Sequence, residues 1–117
     1  MAKYRKKKKI LLYCNPLIQE ALIKNIPNCN FEVGETLVQI REYKPNIIIF
    51  DREVERICKY ANKKTYLLFL SNDSVFTGVL ENGFDSKMLP NPSTPEGKKQ
   101  LEYEELVIKR GNSLVLR

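Results

Sequence analysis

Asp51 is the residue whose setting most invites chemistry. It closes the stretch Pro45-Asn46-Ile47-Ile48-Ile49-Phe50-Asp51, an apolar run ended by a carboxylate. Such a run reads as a strand buried on both faces of a helix-covered parallel sheet. That would set Asp51 at the carboxyl edge of the strand, where open α/β sheets bind ligands. The plain alternative is a cap, with Asp51 accepting a backbone N–H from the first turn of the helix that follows. Ser71 stands in the same relation to Leu68-Phe69-Leu70 and heads a polar cluster, Ser71-Asn72-Asp73-Ser74, suited to a loop or a helix cap. Cys14 ends another apolar run, Lys9 to Cys14, where a thiolate could act as a nucleophile.

Composition narrows these options. The chain has no His, so no imidazole base, and no Gly-rich loop follows any strand-like run. Cys14, Cys29 and Cys58 are odd in number, widely spaced and without His, which argues against a disulfide framework and against zinc. The formal net charge is +6, and Lys3, Arg5, Lys6, Lys7, Lys8 and Lys9 account for all of it. That tail could bind nucleic acid by counterion release or touch an anionic membrane, and it could equally be a solvated end. Lys6, Lys7, Lys8 and Lys9 are therefore the nucleic-acid candidates; elsewhere the sequence shows no basic face rich in aromatics. With 43% hydrophobic residues among 117, a single folded domain is expected. No run nears the roughly 18 apolar residues of a membrane span, and no cleavage site follows the basic start, so a cytoplasmic location is expected.

The elements that must position these side chains alternate along the chain. Lys9 to Cys14 reads as a first strand, and Asn15 can cap a helix that tolerates Pro16 in its first turn. Leu17, Ile18, Ala21, Leu22 and Ile26 then share one face, and Pro27-Asn28 stops the helix. Asn30 to Val33 is a second strand and Gly34 a turn. Thr36 to Lys44 is a second helix, ended by Pro45. After the third strand, Val54, Ile57, Cys58 and Ala61 recur at helical spacing between Arg52 and Asn62, with Cys58 packing as a small hydrophobe. Thr65 to Leu70 is a fourth strand, Val75 to Leu80 a short helix ended by Asn82-Gly83, and Phe84 to Leu89 a fifth strand. Five strands with short helical connections specify an α/β fold with a parallel sheet and right-handed crossovers. Pro90 to Gly97 reads as a linker, Lys98 to Glu105 as the start of a further helix, and Val107 to Arg117 as two β-segments turned around Arg110-Gly111-Asn112-Ser113.

Over about the first 90 residues the chain resembles the receiver domains of bacterial response regulators. The likeness rests on Lys9-Ile-Leu-Leu-Tyr-Cys-Asn-Pro-Leu-Ile-Gln-Glu-Ala-Leu, on Lys44-Pro-Asn-Ile-Ile-Ile-Phe-Asp51 and on Leu68-Phe-Leu-Ser71. It implies a flavodoxin-like, doubly wound five-stranded sheet, a phosphoacceptor at Asp51 and a switch hydroxyl at Ser71. In that family an acidic pair after the first strand helps hold Mg²⁺; here Tyr13 and Cys14 stand there, followed by Asn15, and offer a hard cation no strong ligand. The lysine expected before a proline at the end of the fifth strand is replaced by Leu89, with Lys87 two residues early. The C-terminal Leu101 to Arg117 is also similar to the opening β-segments of winged-helix DNA-binding halves and to the Gly-Asn-Ser-Leu hairpin of swapped-hairpin antitoxins.

The expectation is therefore a degenerate receiver-like domain over residues 1–92, with residues 1–8 as its basic tail. Residues 93–117 would be a linker with a C-terminal extension, either a β-hairpin or a truncated second domain. Output would come through protein contact or homodimerisation in a setting such as transcriptional regulation, with no catalysis, metal or cofactor and no membrane span. The alternatives are a conventional receiver phosphorylated on Asp51 and a DNA-binding protein acting through its lysine-rich tail. A phosphoryl-accepting Cys14 is disfavoured, because Asn15-Pro16-Leu17-Ile18-Gln19 has neither Gly nor Arg and Pro16 removes a donor.

Overall fold

A computed structural model describes residues 7–72 and 94–117. In chain order they form β1 (Lys8–Tyr13), α1 (Pro16–Asn25), β2 (Cys29–Val33), α2 (Val38–Glu42), β3 (Ile47–Phe50), α3 (Val54–Tyr60), β4 (Tyr66–Leu70), α4 (Pro95–Arg110) and β5 (Ser113–Leu116). The strands make one five-stranded sheet in the order β2-β1-β3-β4-β5, every neighbouring pair parallel. This is the flavodoxin-like doubly wound order. The chain winds outward from β1 to β2, returns across β1 to β3, and winds the other way, leaving a switch point between β1 and β3.

Strand periodicity divides the core between the two faces of the sheet. Leu11, Tyr13, Ile48, Phe50, Leu67 and Phe69 point to one face, where they pack with Ile40 of α2, Val54 and Ile57 of α3 and Val107 of α4. Phe50 and Phe69, paired in register, stack with ring centroids 5.2 Å apart. Ile10, Leu12, Cys14 and Ile49 point to the other face, against Leu22 of α1. Each fully buried aliphatic or aromatic side chain contributes about 1.5–3 kcal/mol, which is what holds these parallel strands together. Asn15 caps α1 as expected, its Oδ1 accepting the Leu17 N–H at 2.8 Å. Of the predicted apolar face of α1, however, Leu22 packs on the sheet while Leu17 is 75% exposed.

The C-terminal stretch departs from the predicted hairpin. Val107 to Arg110 is the last turn of α4, a 16-residue helix that starts at Pro95 under a cap from Thr94, whose side chain accepts the Gly97 N–H. Gly111 and Asn112 both have positive φ, 80° and 48°, so the residues that resemble a hairpin turn instead end a helix and redirect the chain. Ser113–Leu116 then lies parallel to β4, with Leu68 opposite Leu114 and Leu70 opposite Leu116. Residues 94–117 thus belong to the same sheet and the same helical layer, rather than to a separate hairpin or the start of a second domain. The predicted helix at Val75 to Leu80 and strand at Phe84 to Leu89 lie outside the described residues, and β5 occupies the place beside β4.

Since the helices run back antiparallel to the strands, their C-termini gather at the amino edge of the sheet. Each carries a cation in its last turn, Lys24, Arg41, Lys59 and Lys109 with Arg110, where the helix dipole favours positive charge. Arg110 also ties the end of α4 to the α3–β4 connection: its guanidinium donates to the carbonyl oxygens of Thr65 at 2.9 Å and Asn62 at 2.5 Å.

Candidate functional site at the switch point

The register places Tyr13 beside Phe50, so Cys14 and Asn15 leave β1 next to Asp51 leaving β3. The Asp51 N–H donates to the Tyr13 carbonyl at 3.0 Å, continuing the ladder past both strands. Its carboxylate turns across the switch point, and Oδ2 accepts the Asn15 N–H at 2.9 Å. Oδ1 accepts from Arg52 Nε at 2.6 Å, with Nη2 at 3.4 Å from Oδ2. Asp51 therefore does not cap α3, whose N-cap position is Glu53 in left-handed geometry with no side-chain cap bond. It fastens the start of α1 to the sheet and carries its own counter-charge in Arg52.

Tyr13 and Cys14, where β1 ends, are both packed into the core. Cys14 is 2% exposed, and burial, with the Asp51 charge adding, pushes its thiol up to about 11 while Arg52 partly offsets the rise. The thiol is protonated at neutral pH and is a poor nucleophile. Gln19 Nε2 covers the Cys14 carbonyl at 2.8 Å. Tyr13 donates its hydroxyl to the Thr36 carbonyl at 2.5 Å, and burial, followed by the Glu32 charge, raises it to about 12. Its ring fills the space that a Cβ on Gly34 would need. Among the described residues, no group of three or more His, Cys, Asp or Glu could hold a metal ion.

Ser71 is not drawn to Asp51. Its hydroxyl donates to Glu104 Oε2 at 2.5 Å and accepts from Gln100 Nε2 at 3.1 Å. Glu104, in α4, is only 1% exposed and is also held by Arg117 at 2.8 Å. This cluster escapes a reading along the sequence, because its members come from the residue after β4, from α4 and from the residue after β5. The one available hint is a glutamate on the apolar stripe of α4. Of the tail lysines, Lys7 and Lys8 are exposed, and Lys6 lies outside the described residues, as do Lys87 and Leu89. Lys9 is committed to the fold, with Nζ donating to the Tyr43 carbonyl at 2.9 Å over the Tyr43 ring. No described helix is long and apolar enough to cross a membrane.

No protein-family model matches the chain, and no curated protein matches it. Among solved structures it is similar to a candidate NAD-dependent epimerase/dehydratase from Methylobacillus flagellatus, with a TM-score of 0.60 and 15% identity. That likeness covers 97% of this chain and 54% of the other, so the chain spans about half the length of its structural neighbour. At this identity the similarity is one of fold, an open parallel α/β sheet.

Proposed function

We propose that the chain is a receiver-like signalling domain that works without phosphorylation and acts through protein contact. The observation that carries this reading is the state of Asp51. Both carboxylate oxygens are engaged by the chain's own donors, Asn15 N–H and Arg52, beside a buried Tyr13 and Cys14. Forming an aspartyl phosphate there would release the Arg52 pair and the α1 tether and add negative charge, with no cluster of acidic ligands for Mg²⁺ among the described residues. The Ser71 hydroxyl is spent on Glu104 instead of being poised for a phosphate. Contact with a second copy or another protein would use edge strand β5 and the sheet face it shares with Leu68 and Leu70, where Leu114 and Leu116 are 46% and 45% exposed.

A dinucleotide role of the kind in the neighbour's name is not adopted. The turn after β1 has no glycine, Pro16 offers no N–H, and the Leu17 N–H is already capped by Asn15. No catalysis is proposed, since the Cys14 thiol is buried with its pKa raised by that burial, and the Asp51 carboxylate is held by Asn15 and Arg52.

Intact-mass measurement after incubation with a small phosphoryl donor and Mg²⁺ tests the reading. The expected result is no change in mass. An added phosphoryl group that disappears in Asp51→Asn would overturn the proposal in favour of a conventional receiver. Sedimentation velocity addresses the contact surface, with any self-association expected to weaken in Leu114→Lys.

A further inference from the structure

At the opposite edge of the sheet, the α2–β3 and α3–β4 connections enclose a groove of about 470 Å³ lined by Arg41, Lys44, Asn46, Tyr60, Asn62 and Lys64 among others. It adjoins a more apolar cleft of about 230 Å³ between α2 and α3, and the two share Ile40, Arg41 and Tyr60. Arg41, Lys44 and Lys64 are exposed, and none is ion-paired with a described residue. The ion pairs among described residues instead involve Arg52, Arg56, Lys99 and Arg117. A helix dipole explains Arg41, but it fades within the last turn and does not explain Lys44 or Lys64, which lie beyond their helices. Lys63, in the α3–β4 connection, and Lys8, the first residue of β1, stand on the same rim. The basic residues Lys3, Arg5 and Lys6 lead in sequence directly to this rim.

Exposed Glu42 ends α2 between Arg41 and Lys44, but no acid lines the groove itself, and like charges held together in this way favour a polyanion. The groove's other walls indicate which one. Tyr60 is 53% exposed beside the apolar cleft, and Lys59 Nζ lies 5.4 Å from its ring centroid, so one face of the ring is shared with a further cation. Asn46 and Asn62 have their Oδ1 atoms tied to the N–H groups of Lys9 at 2.8 Å and Lys64 at 2.9 Å, which leaves each amide NH₂ as a donor. We propose that this groove binds single-stranded nucleic acid, with phosphates against Arg41, Lys44 and Lys64 and a base against Tyr60. A cationic groove with a stacking platform is how single strands are held without sequence preference. A duplex would meet the cations but not use the ring, and a flat anionic membrane would not enter a concave groove.

The test is fluorescence anisotropy of the full chain with labelled oligothymidylate, a duplex of equal length, and phosphatidylserine vesicles as competitor. The single strand is expected to bind most tightly. Lys44→Glu/Lys64→Glu should weaken it about tenfold or more and reduce the log-log salt slope by about 1.4, at roughly 0.7 per phosphate on a single strand. Tyr60→Leu should weaken it about fivefold or more, and Tyr60→Phe less than about twofold. Lys98→Glu, on the other rim, changes net charge as much as Lys64→Glu does and should have less effect. Thermal melts establish that each variant is folded. Absence of binding at low salt, equal binding of duplex with a silent Tyr60→Leu, insensitivity to the groove reversals, or preference for the vesicles would each overturn the proposal.

Discussion

Arg117 Nη2 lies 2.8 Å from Glu104 Oε1, joining the residue after β5 to the middle of α4 around a carboxylate that is 1% exposed. Arg117 Nε is also within reach of both carboxylate oxygens, at 3.1 and 3.3 Å, and Ser71 adds a hydroxyl donor. Removing one partner of a buried pair costs more than the pair contributes, because a charge is left uncompensated in the core. The Arg117 side chain is 29% exposed, so water softens that cost. Arg117→Ala is expected to destabilise the fold by about 1–3 kcal/mol, read from chemical denaturation. Glu104→Gln in the same background should recover part of the loss, since the neutral amide still accepts from Ser71 without stranding a charge.

Alkaline pH should loosen the fold through Tyr13 and Cys14. Burial raises Cys14 from 9.0 to about 11 and Tyr13 from 10.0 to about 12. In both cases the unfolded chain gives up its proton first, so between the two values the native state binds more protons and stability falls as pH rises. The contribution is intact below about pH 9, declines through pH 11 for the thiol, and declines from 10 to about 12 for the phenol. Each group adds at most about 1.4 kcal/mol per pH unit within its window. Urea midpoints measured from pH 8 to 11 should fall, and fall less steeply in Cys14→Ala. Thiol labelling should show Cys14 reacting only on unfolding, after the half-buried Cys29 and Cys58.

Gly34 and Tyr13 form a steric pair at the end of β2. The Gly34 N–H donates to the Leu12 carbonyl at 2.7 Å, which brings its backbone against the Tyr13 ring, and an added Cβ would collide with that ring. Gly34→Ala should therefore cost about 1–3 kcal/mol, the range for overpacking a tight site. Combined with Tyr13→Leu, the same change should cost much less than it does alone. A double-mutant cycle measures this, and strict additivity would show that the two residues do not meet as described.

The run from β1 to β4 was legible in the sequence because apolar stretches of strand length alternate with segments of helical period. Asn15, Pro16 and Pro45 mark boundaries by chemistry that has few other readings. Asp51 was legible as a position but not as a bond, since Asn15 and Arg52 are polar residues like many others until the sheet sets them beside it. The C-terminal stretch is ambiguous in the sequence because Gly-Asn can serve a hairpin turn or a helix end, and the burial of Val107 with the parallel pairing of β5 decides between them. The fate of Ser71 depends on a partner 33 residues away. The cationic groove was hidden because Arg41 and Lys44 come from the end of α2 and the connection after it, and Tyr60 and Lys64 from the end of α3 and the connection after it. Outside the tail, the sequence's charges also balance, so separation of sign in space leaves no trace in composition.

The switch point itself should be indifferent to magnesium and sensitive to loss of its carboxylate. Asp51 accepts a backbone N–H from Asn15 and is paired with Arg52, so Asp51→Ala removes a charge-assisted bond and leaves the Asn15 N–H seeking water. The arginine is 57% exposed and its pair contributes little. The backbone tether contributes more, and a loss of about 1–2 kcal/mol is expected. Asp51→Asn, which keeps an acceptor for Asn15, should lose less than half of that. A tight Mg²⁺ site would raise the thermal midpoint with concentration by mass action. Here the midpoint is expected to stay level across a Mg²⁺ titration in wild type and in both variants, as read by differential scanning fluorimetry. A concentration-dependent rise confined to wild type would mean that the carboxylate gives up Arg52 for the metal.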